Sequence, residues 1–207
     1  MKHRSIQVLA FSIVIAILIS GCAGTTTGSS QSTAGMQPDT QNSQSESSSS
    51  AVNTGLLSAF TTEDLNGHTV DQSVLKDYDV TMVNVWATFC GYCIDEMPDL
   101  AQLSKENKSK SFQVIGIVSD VTNYDGSINK DQMKTAKAIV AQTGVTYTQL
   151  VPSKDLNDLL SMASSVPTTI FVDQNGNLIG SEYIGAKSKT EWQKIIDSKL
   201  SEVKAEQ

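Results

Sequence analysis

Two cysteines, Cys90 and Cys93, are the residues of this chain whose type and spacing can support chemistry. They follow an apolar run that is typical of a buried strand, and they open a segment that is predicted to be a helix. Two thiols three residues apart on the first turn of a helix lie on one face and can close a small disulfide ring. The pattern therefore predicts a pair that cycles between dithiol and disulfide with a redox partner.

The position of Cys90 at the predicted start of the helix makes it the candidate nucleophile. Unpaired backbone N–H groups and the positive end of the helix macrodipole favour an anion there, and thiolate is the reactive form of cysteine. Cys93 lies one turn further along, where the helix shields it from an external partner. We therefore expect Cys90 to attack first and Cys93 to resolve the resulting mixed disulfide.

Residues 1–21 have the features of a secretory signal peptide. Lys2 and Arg4 give a basic start, and the apolar run that follows is too short to span a bilayer comfortably. The run ends in the sequence Ile-Ser-Gly-Cys22, which resembles the lipobox of bacterial lipoproteins and implies a lipid on Cys22. The alternative is an ordinary signal peptide that happens to end near a cysteine.

Cysteine and charge counts limit the partners of the chain. Of the three cysteines, Cys22 takes the lipid, which leaves Cys90 and Cys93 as one matched pair. The net charge is −7, and removal of residues 1–21 takes away two basic residues, leaving 13 basic against 22 acidic side chains, or about −9. This acidic balance excludes a nucleic-acid partner and does not favour anionic headgroups, so we expect membrane attachment through the lipid.

Residues 22–54 have the composition of a flexible tether. Fourteen of the thirty-one residues from 23 to 53 are Ser or Thr, and almost none is apolar. Such a segment cannot bury enough surface to offset the entropy lost on ordering. We expect residues 22–54 to hold a folded domain, residues 55–207, away from the membrane surface.

The pattern of residues 55–207 suits one domain with a single core. Apolar runs and their periodicity predict a hairpin near its start, followed by strands and helices in alternation. The predicted hairpin lies at 64–70, the strands at 80–87, 112–118, 146–151, 168–173 and 177–184, and the helices at 91–107, 131–143, 154–163 and 189–203. A strand, a helix and a strand in succession imply a parallel crossover, whereas the last two strands are expected to form an antiparallel hairpin. The result is a mixed sheet with helices on both faces.

Three motifs resemble the thioredoxin superfamily, and in particular its membrane-anchored TlpA/ResA-like branch. They are the run Trp-Ala-Thr-Phe-Cys-Gly-Tyr-Cys from Trp86 to Cys93, the acid Glu96, and Val166-Pro167 before a late strand. The resemblance implies an α/β thioredoxin-like fold with a mixed central sheet, helices on both faces and an N-terminal β-hairpin extension. It also implies a cis bond between Val166 and Pro167, next to the disulfide, from which the Val166 backbone can pair with an extended substrate.

Two interpretations of Glu96 stay open. In TlpA/ResA-like proteins an acid near the cysteines can shuttle a proton, and burial would raise its pKa to suit that task. Alternatively, Glu96 is a solvated acid of the first turn, favoured by the helix dipole. Asn84 stands where thioredoxin itself has a buried aspartate, and this difference makes Glu96 the better candidate for proton transfer.

Trp86, Gly91 and Tyr92 lie beside the cysteines and are, with Val166 and Pro167, the candidate substrate-binding residues. For Trp86, a purely structural place in the core is equally consistent with the sequence. The dipeptide between the cysteines lacks a histidine that can hydrogen-bond a thiolate, which favours a reducing couple.

The resemblance implies a lipid-anchored, extracytoplasmic thiol-disulfide oxidoreductase that reduces client proteins. Its expected partners are client disulfides, such as those of apocytochrome c or a surface methionine sulfoxide reductase, and a membrane thiol donor similar to CcdA. The redox-active disulfide Cys90–Cys93 carries the electrons, so no metal or organic cofactor is expected. We expect a monomer that is attached to the bacterial cell membrane through Cys22.

Other interpretations compete with this one. A zinc site needs two ligands besides Cys90 and Cys93, and downstream of Cys22 the chain offers only His68. A peroxiredoxin-like peroxidase relies on a Pro-x-x-x-Thr-x-x-Cys pattern, and no proline has that spacing before Cys90. A non-catalytic surface lipoprotein would use the fold for binding alone and would show no CxxC-dependent disulfide reduction. The acidic stretch 120–131 matches no EF-hand spacing, so we expect a solvated insertion there.

Overall fold

The computed structural model of the chain describes residues 55–205. The predicted signal peptide, the lipidation site Cys22 and the predicted tether lie outside these residues. Within residues 55–205, no helix is both long enough and apolar enough to cross a bilayer.

Within residues 55–205, seven strands form two sheets. They are β1 (Thr61–Glu63), β2 (Thr69–Asp71), β3 (Val80–Trp86), β4 (Phe112–Val118), β5 (Gln149–Leu150), β6 (Thr168–Val172) and β7 (Tyr183–Ile184). The first two strands pair as an antiparallel hairpin, and the other five form a sheet in the order β5-β4-β3-β6-β7. In that sheet β3, β4 and β5 are parallel, whereas β6 and β7 are antiparallel to their neighbours. The predicted mixed sheet and N-terminal hairpin are therefore confirmed.

In the described part of the chain, four α-helices accompany the strands, together with short 3-10 turns at 72–75, 108–110 and 154–156. They are α1 (Gly91–Glu106), α2 (Lys130–Thr143), α3 (Asn157–Met162) and α4 (Lys189–Ala205). Helix α2 ends where predicted, because Gly144 adopts a left-handed φ of 69° that closes the last turn.

The central strand β3 is buried on both faces, and its alternate residues point to opposite layers. Met82 and Trp86 pack with α1, α2 and α4, whereas Val83 and Val85 pack with α3 and the segment before β1. Helices therefore cover both faces of the sheet, as the sequence predicts. This double burial holds the carboxyl end of β3 rigidly, and the two cysteines follow directly after it.

The N-terminal hairpin covers the sheet edge at β5. The backbone N–H of Leu65 donates to the carbonyl of Gln149 at 3.0 Å, and the N–H of Val151 donates to the carbonyl of Glu63 at 2.9 Å. These bonds pair edge groups that would otherwise be open to another chain.

The predicted strand at 177–184 is wrong over most of its length. Only Tyr183–Ile184 forms a strand, while Leu178 makes an isolated bridge to Val172. The reason is Gly180, whose left-handed φ of 76° breaks the extended backbone between them. Similarly, the predicted helix at 154–163 divides into a 3-10 turn and the short α3.

Candidate active site

Cys90 caps the N-terminus of α1, directly after β3. Its backbone is extended, with φ −89° and ψ 96°, and its sulfur accepts a hydrogen bond from the backbone N–H of Cys93 at 3.2 Å. The two cysteines form a disulfide with a Cα–Cα distance of 5.3 Å. The predicted placement of the pair at the start of a helix is therefore confirmed.

The two sulfur-bearing residues differ in accessibility. Cys90 is 8% exposed, whereas Cys93 is 0% exposed and packs against Met97 inside the domain. An external partner therefore meets the sulfur of Cys90 first. This difference supports the roles that the helix position predicts, with Cys90 as nucleophile and Cys93 as resolving thiol.

An acidic side chain from another loop fixes the segment between β3 and Cys90. The carboxylate of Asp120 accepts hydrogen bonds from the backbone N–H of Thr88 at 3.1 Å and from its hydroxyl at 2.5 Å. Gln132 Nε2 donates to the same carboxylate at 3.2 Å. No local pattern in the sequence indicates this contact, because Asp120 belongs to the stretch 120–131, which is predicted to be a solvated insertion.

The surface around Cys90 is apolar and aromatic. Phe89 is 76% exposed and Tyr92 is 77% exposed, and Gly91 between the cysteines is also exposed. Of the predicted substrate-binding residues, Gly91 and Tyr92 therefore lie where a client can touch them. Phe89, which the site prediction did not include, lies there too.

Trp86 does not belong to this surface. It is 0% exposed, and its indole Nε1 donates a hydrogen bond to Gln149 Oε1 at 2.8 Å inside the core. The prediction that Trp86 binds substrate is corrected, because a side chain buried on all sides cannot contact a client. The structure confirms the alternative interpretation, in which Trp86 belongs to the core.

The Val166–Pro167 peptide bond is cis. Val166 is half-buried and packs against the apolar cluster that contains both cysteines. The carbonyl of Pro167 accepts a hydrogen bond from the N–H of Gly185 at 2.8 Å, which ties it to the end of β7. The backbone N–H and carbonyl of Val166 form no hydrogen bond with any residue in the described range 55–205, so both can pair with an added strand.

Glu96 is buried, at 4% exposure, one turn after Cys93. Three donors converge on its carboxyl group: Asn84 Nδ2 at 3.1 Å, Trp192 Nε1 at 3.2 Å and the backbone N–H of Lys187 at 3.3 Å. Burial raises the pKa of Glu96, and the hydrogen bonds from these donors offset part of the increase. The interpretation of Glu96 as a solvated first-turn acid is therefore wrong.

Lys187 places its ammonium group near the same carboxyl. Its Nζ lies 5.7 Å from the ring centre of Tyr183 and 5.5 Å from that of Trp192, a cation–π arrangement. The positive charge of Lys187 contributes a small lowering of the pKa of Glu96. No local pattern in the sequence pointed to Lys187, since it lies 91 residues from Glu96.

The raised pKa of Glu96 suits this group to proton transfer. Cys93 and Glu96 are three residues apart on α1, and side chains at this spacing are neighbours on a helix surface. A carboxyl group with a raised pKa accepts and releases protons closer to neutral pH than an exposed glutamate. Glu96 is therefore the buried carboxyl group that follows Cys93 by one turn on the same helix.

Comparison with known proteins places this site in a family. Residues 56–181 match the model of the AhpC/TSA family. The thiol:disulfide interchange protein DsbE of Vibrio cholerae is 31% identical over 142 residues, which cover 66% of this chain and 67% of that protein. The thioredoxin-like protein YneN of Bacillus subtilis is 28% identical over 56% of this chain and 62% of its own length. The thiol-disulfide oxidoreductase ResA of Bacillus anthracis is 25% identical over 63% of this chain and 68% of its own length.

Solved structures share the fold. A thiol:disulfide interchange protein of the thioredoxin family from Chlorobium tepidum superposes with a TM-score of 0.57 at 24% identity, covering 69% of this chain and 93% of that one. The exposed lipoprotein thioredoxin of Streptococcus pneumoniae superposes with a TM-score of 0.51 at 22% identity, covering 68% of this chain and 98% of that one. The chain lacks the pattern Pro-x-x-x-Thr-x-x-Cys of a peroxidatic cysteine. With Cys90 as the cysteine of that pattern, the proline and threonine positions fall on Val83 and Ala87. The chain therefore belongs to the AhpC/TSA family and is a thiol-disulfide oxidoreductase with a thioredoxin-like fold.

Proposed function

We propose that this oxidoreductase works as a reductant of disulfides in extracytoplasmic client proteins. The observation that carries the proposal is the asymmetry of the pair: Cys90 is partly exposed, while Cys93 is fully buried and is followed three residues later on α1 by the buried acid Glu96. A pair arranged in this way can release a reduced client, because the hidden thiol is held ready to displace it.

The reaction has two steps that conserve electrons. In the first, the thiolate of Cys90 attacks one sulfur of the client disulfide, so that a mixed disulfide forms and the other client sulfur leaves as a thiolate. In the second, Cys93 attacks the sulfur of Cys90, the Cys90–Cys93 disulfide forms, and the remaining client thiolate leaves. The client gains two electrons and the protein dithiol loses two.

Glu96 serves the second step by taking the proton of Cys93. The thiol must ionise before it can attack, and no bulk water reaches Cys93 at 0% exposure. Glu96 accepts the proton as a general base and later gives it to solvent. Before it takes this proton, the carboxylate of Glu96 is stabilised by the three donors around it.

The client is held by backbone pairing and by aromatic contacts. An extended client segment pairs with the free backbone groups of Val166, next to Pro167, in a form of strand addition. Phe89, Gly91 and Tyr92 supply the exposed surface on which the segment rests. Because these contacts do not depend on a particular client sequence, the side chains that flank the client disulfide determine which client binds.

We further propose that a lipid on Cys22 anchors the protein to the bacterial membrane as a monomer. The lipobox-like sequence and the Ser/Thr-rich residues that follow support this placement. A membrane dithiol donor similar to CcdA restores the reduced pair, and no metal or organic cofactor takes part. Apocytochrome c and a surface methionine sulfoxide reductase are the proposed clients.

Trapping tests the proposal directly. The full chain carrying Cys93→Ser is expected to retain client proteins as mixed disulfides on Cys90, and the matched variant Cys90→Ser is expected to retain none. The wild type, but neither variant, is expected to catalyse reduction of insulin disulfides by dithiothreitol. Equal capture by both variants would reverse the two roles, and absence of insulin reduction by the wild type would reject the activity.

A further inference from the structure

The segment from Gly185 to Lys187 lies between β7 and α4 and contacts two separate parts of the site. At its first residue, the backbone N–H of Gly185 donates to the carbonyl of Pro167 at 2.8 Å. Two residues later, the backbone N–H of Lys187 donates to Glu96 Oε2 at 3.3 Å. One end of the 185–187 segment therefore holds the backbone beside Val166, and the other end holds the buried acid.

The two hydrogen bonds are too close in the chain to shift independently. Only Ala186 separates the two donor residues, so their Cα atoms cannot lie more than about 7.6 Å apart. Ala186 is exposed, and a Cβ added at Gly185 would meet no atom within 4 Å, so close packing does not fix these two residues. A movement of the Lys187 N–H away from Glu96 is therefore passed on to the Gly185 N–H and its bond to Pro167.

The strength of the Lys187 hydrogen bond depends on the charge of Glu96. A backbone N–H can only donate, and it bonds more strongly to a carboxylate than to a neutral carboxylic acid. Burial raises the pKa of Glu96, and the hydrogen bond from the Lys187 N–H is one of the contacts that oppose this increase. The contact therefore favours the carboxylate, and uptake of a proton by Glu96 weakens the contact.

In the disulfide form of the protein, the other described groups around Glu96 keep their charge through the acidic range. They are the disulfide-bonded Cys93 on α1, the neutral donors Asn84 of β3 and Trp192 of α4, Tyr147 before β5, whose pKa is raised by burial, and the ammonium group of Lys187. The Lys187 charge also acts on Glu191 of α4, but hydrogen bonds from Ser188 lower the pKa of Glu191. Glu191 therefore takes up a proton only at a lower pH than Glu96.

We propose that the 185–187 segment couples the protonation of Glu96 to client binding at Val166 and Pro167, a coupling that rests on the proposed function. While Glu96 is a carboxylate, the segment is held at both ends and keeps the Pro167 backbone in place for pairing with the client. When Glu96 takes the proton of Cys93, the segment loosens, and the reduced client is released as the disulfide closes. Such coupling is reciprocal, so a bound client favours the carboxylate that accepts the proton.

Hydrogen exchange of single amides, measured by NMR on the full chain in its disulfide form, tests this coupling. The protection factors of the Gly185 and Lys187 amides, corrected for the intrinsic pH dependence of exchange, are expected to fall about fivefold as the pH drops through the pKa of Glu96. The amide of Ile179 donates to the carbonyl of Phe171 at 2.8 Å and is the control, with an expected change of less than about twofold. In Glu96→Gln the pH dependence is expected to disappear, because glutamine stays neutral.

A glycine inserted between Ala186 and Lys187 separates transmission along the segment from a local effect of the Glu96 charge. The longer segment lets each hydrogen bond form without the other. Exchange of the Lys187 amide is therefore expected to stay dependent on pH, while exchange of the Gly185 amide becomes independent of pH. A glycine inserted between Asp125 and Gly126, in an exposed turn, is the matched control and is expected to leave both amides as in the wild type. If the Gly185 amide keeps its pH dependence in the first variant, transmission along the segment is rejected.

Client affinity provides a test that needs no insertion. The disulfide form of the full chain is titrated with an insulin B chain whose cysteines are replaced by serine, so that only non-covalent contacts form. Its Kd is expected to rise about fivefold as the pH falls through the pKa of Glu96 in the wild type, and this rise is expected to be absent in Glu96→Gln. The same rise in both proteins, or constant Gly185 protection in the wild type, would reject the coupling while the proposed function stands. Failure of the wild type to reduce insulin would reject the proposed function itself.

Discussion

Asn84 donates its side-chain amide to the buried carboxyl of Glu96 at 3.1 Å, across 12 residues of sequence. The other atom of that amide, Oδ1, has no partner in the described part of the chain. Asn84 can therefore serve both protonation states of Glu96, because Nδ2 donates to a carboxylate and, after rotation of the amide, Oδ1 accepts from a carboxylic acid. An aspartate at this position would instead place a second negative charge beside the first.

Replacement of Glu96 by glutamine is expected to slow closure of the Cys90–Cys93 disulfide on the order of a hundredfold, because the general base is lost. In the wild type the closure rate falls as the pH drops through the raised pKa of Glu96, and in Glu96→Gln this dependence disappears. Stopped-flow measurement of closure from a mixed disulfide across the acidic range checks both effects. The internal control is the first step, in which Cys90 attacks the disulfide reagent 5,5′-dithiobis(2-nitrobenzoate) and forms the mixed disulfide. A pH dependence of the closure rate that is the same in Glu96→Gln and in the wild type would contradict the role of Glu96.

The same substitution is expected to stabilise the protein at neutral pH. The pKa of Glu96 is raised in the folded state, so its contribution to stability is fully present below the pKa of an unfolded glutamate and is lost as the pH rises through the folded value. Glutamine stays neutral, and its amide can donate to Asn84 Oδ1. Urea unfolding is expected to show a higher free energy of unfolding for Glu96→Gln than for the wild type at neutral pH, and a smaller difference in acid. A gain of equal size at both pH values would show that ionisation is not its cause.

Lys187→Met is expected to raise the pKa of Glu96 further, because the ammonium charge of Lys187 lowers it in the wild type. The fall in the closure rate with decreasing pH then begins at a higher pH. Lys189→Met is the matched control, since Lys189 pairs with Glu106 at 2.8 Å on the surface. A shift of the profile in both variants, or in neither, would argue against a specific effect of Lys187.

Asp120→Ala is expected to lower the free energy of unfolding by about 2 kcal/mol, because the Thr88 donors lose a charged acceptor. The attack of Cys90 on 5,5′-dithiobis(2-nitrobenzoate), followed by the release of thionitrobenzoate, should also slow, since Thr88 lies two residues before Cys90. Asp125→Ala removes a carboxylate that bonds only Ser127 within its own loop, and it is expected to leave both quantities unchanged. Equal losses of stability and of Cys90 reaction rate in the two variants would show that the contact between Asp120 and Thr88 has no specific effect.

Phe89→Ala and Tyr92→Ala are expected to raise the KM for a protein client while leaving stability within about 0.5 kcal/mol of the wild type. Both side chains are more than three-quarters exposed, so little packing is lost. Tyr124→Ala removes another fully exposed aromatic side chain, away from the cysteines in sequence, and serves as the control. Insulin reduction kinetics and urea unfolding provide the two measurements. If KM rises equally in the control, the surface beside Cys90 has no special part in client binding.

The β3–α1–β4 unit was predictable almost to the residue. Its strands are apolar runs buried on both faces, and Cys90 marks the start of the helix, so local pattern suffices. The predicted strand at 177–184 failed because sequence periodicity does not show that Gly180 takes a left-handed φ.

The cysteine pair and Glu96 were accessible to sequence reasoning, since all three lie within seven consecutive residues at the start of α1. Their environment was not. The groups that bury and bond Glu96 come from Asn84, Lys187 and Trp192, up to 96 residues away, and the contact between Thr88 and Asp120 spans 32. Such contacts depend on how α4 and the loops pack, which no local spacing encodes.

The order in which the two thiols react is the most direct test of the roles assigned to Cys90 and Cys93. The reduced full chain is treated with limiting iodoacetamide at neutral pH, and the alkylated peptides are quantified by mass spectrometry. Cys90 is expected to be modified at least about tenfold faster than Cys93, because it caps the helix and is partly exposed while Cys93 is buried. Equal rates, or faster modification of Cys93, would contradict these roles.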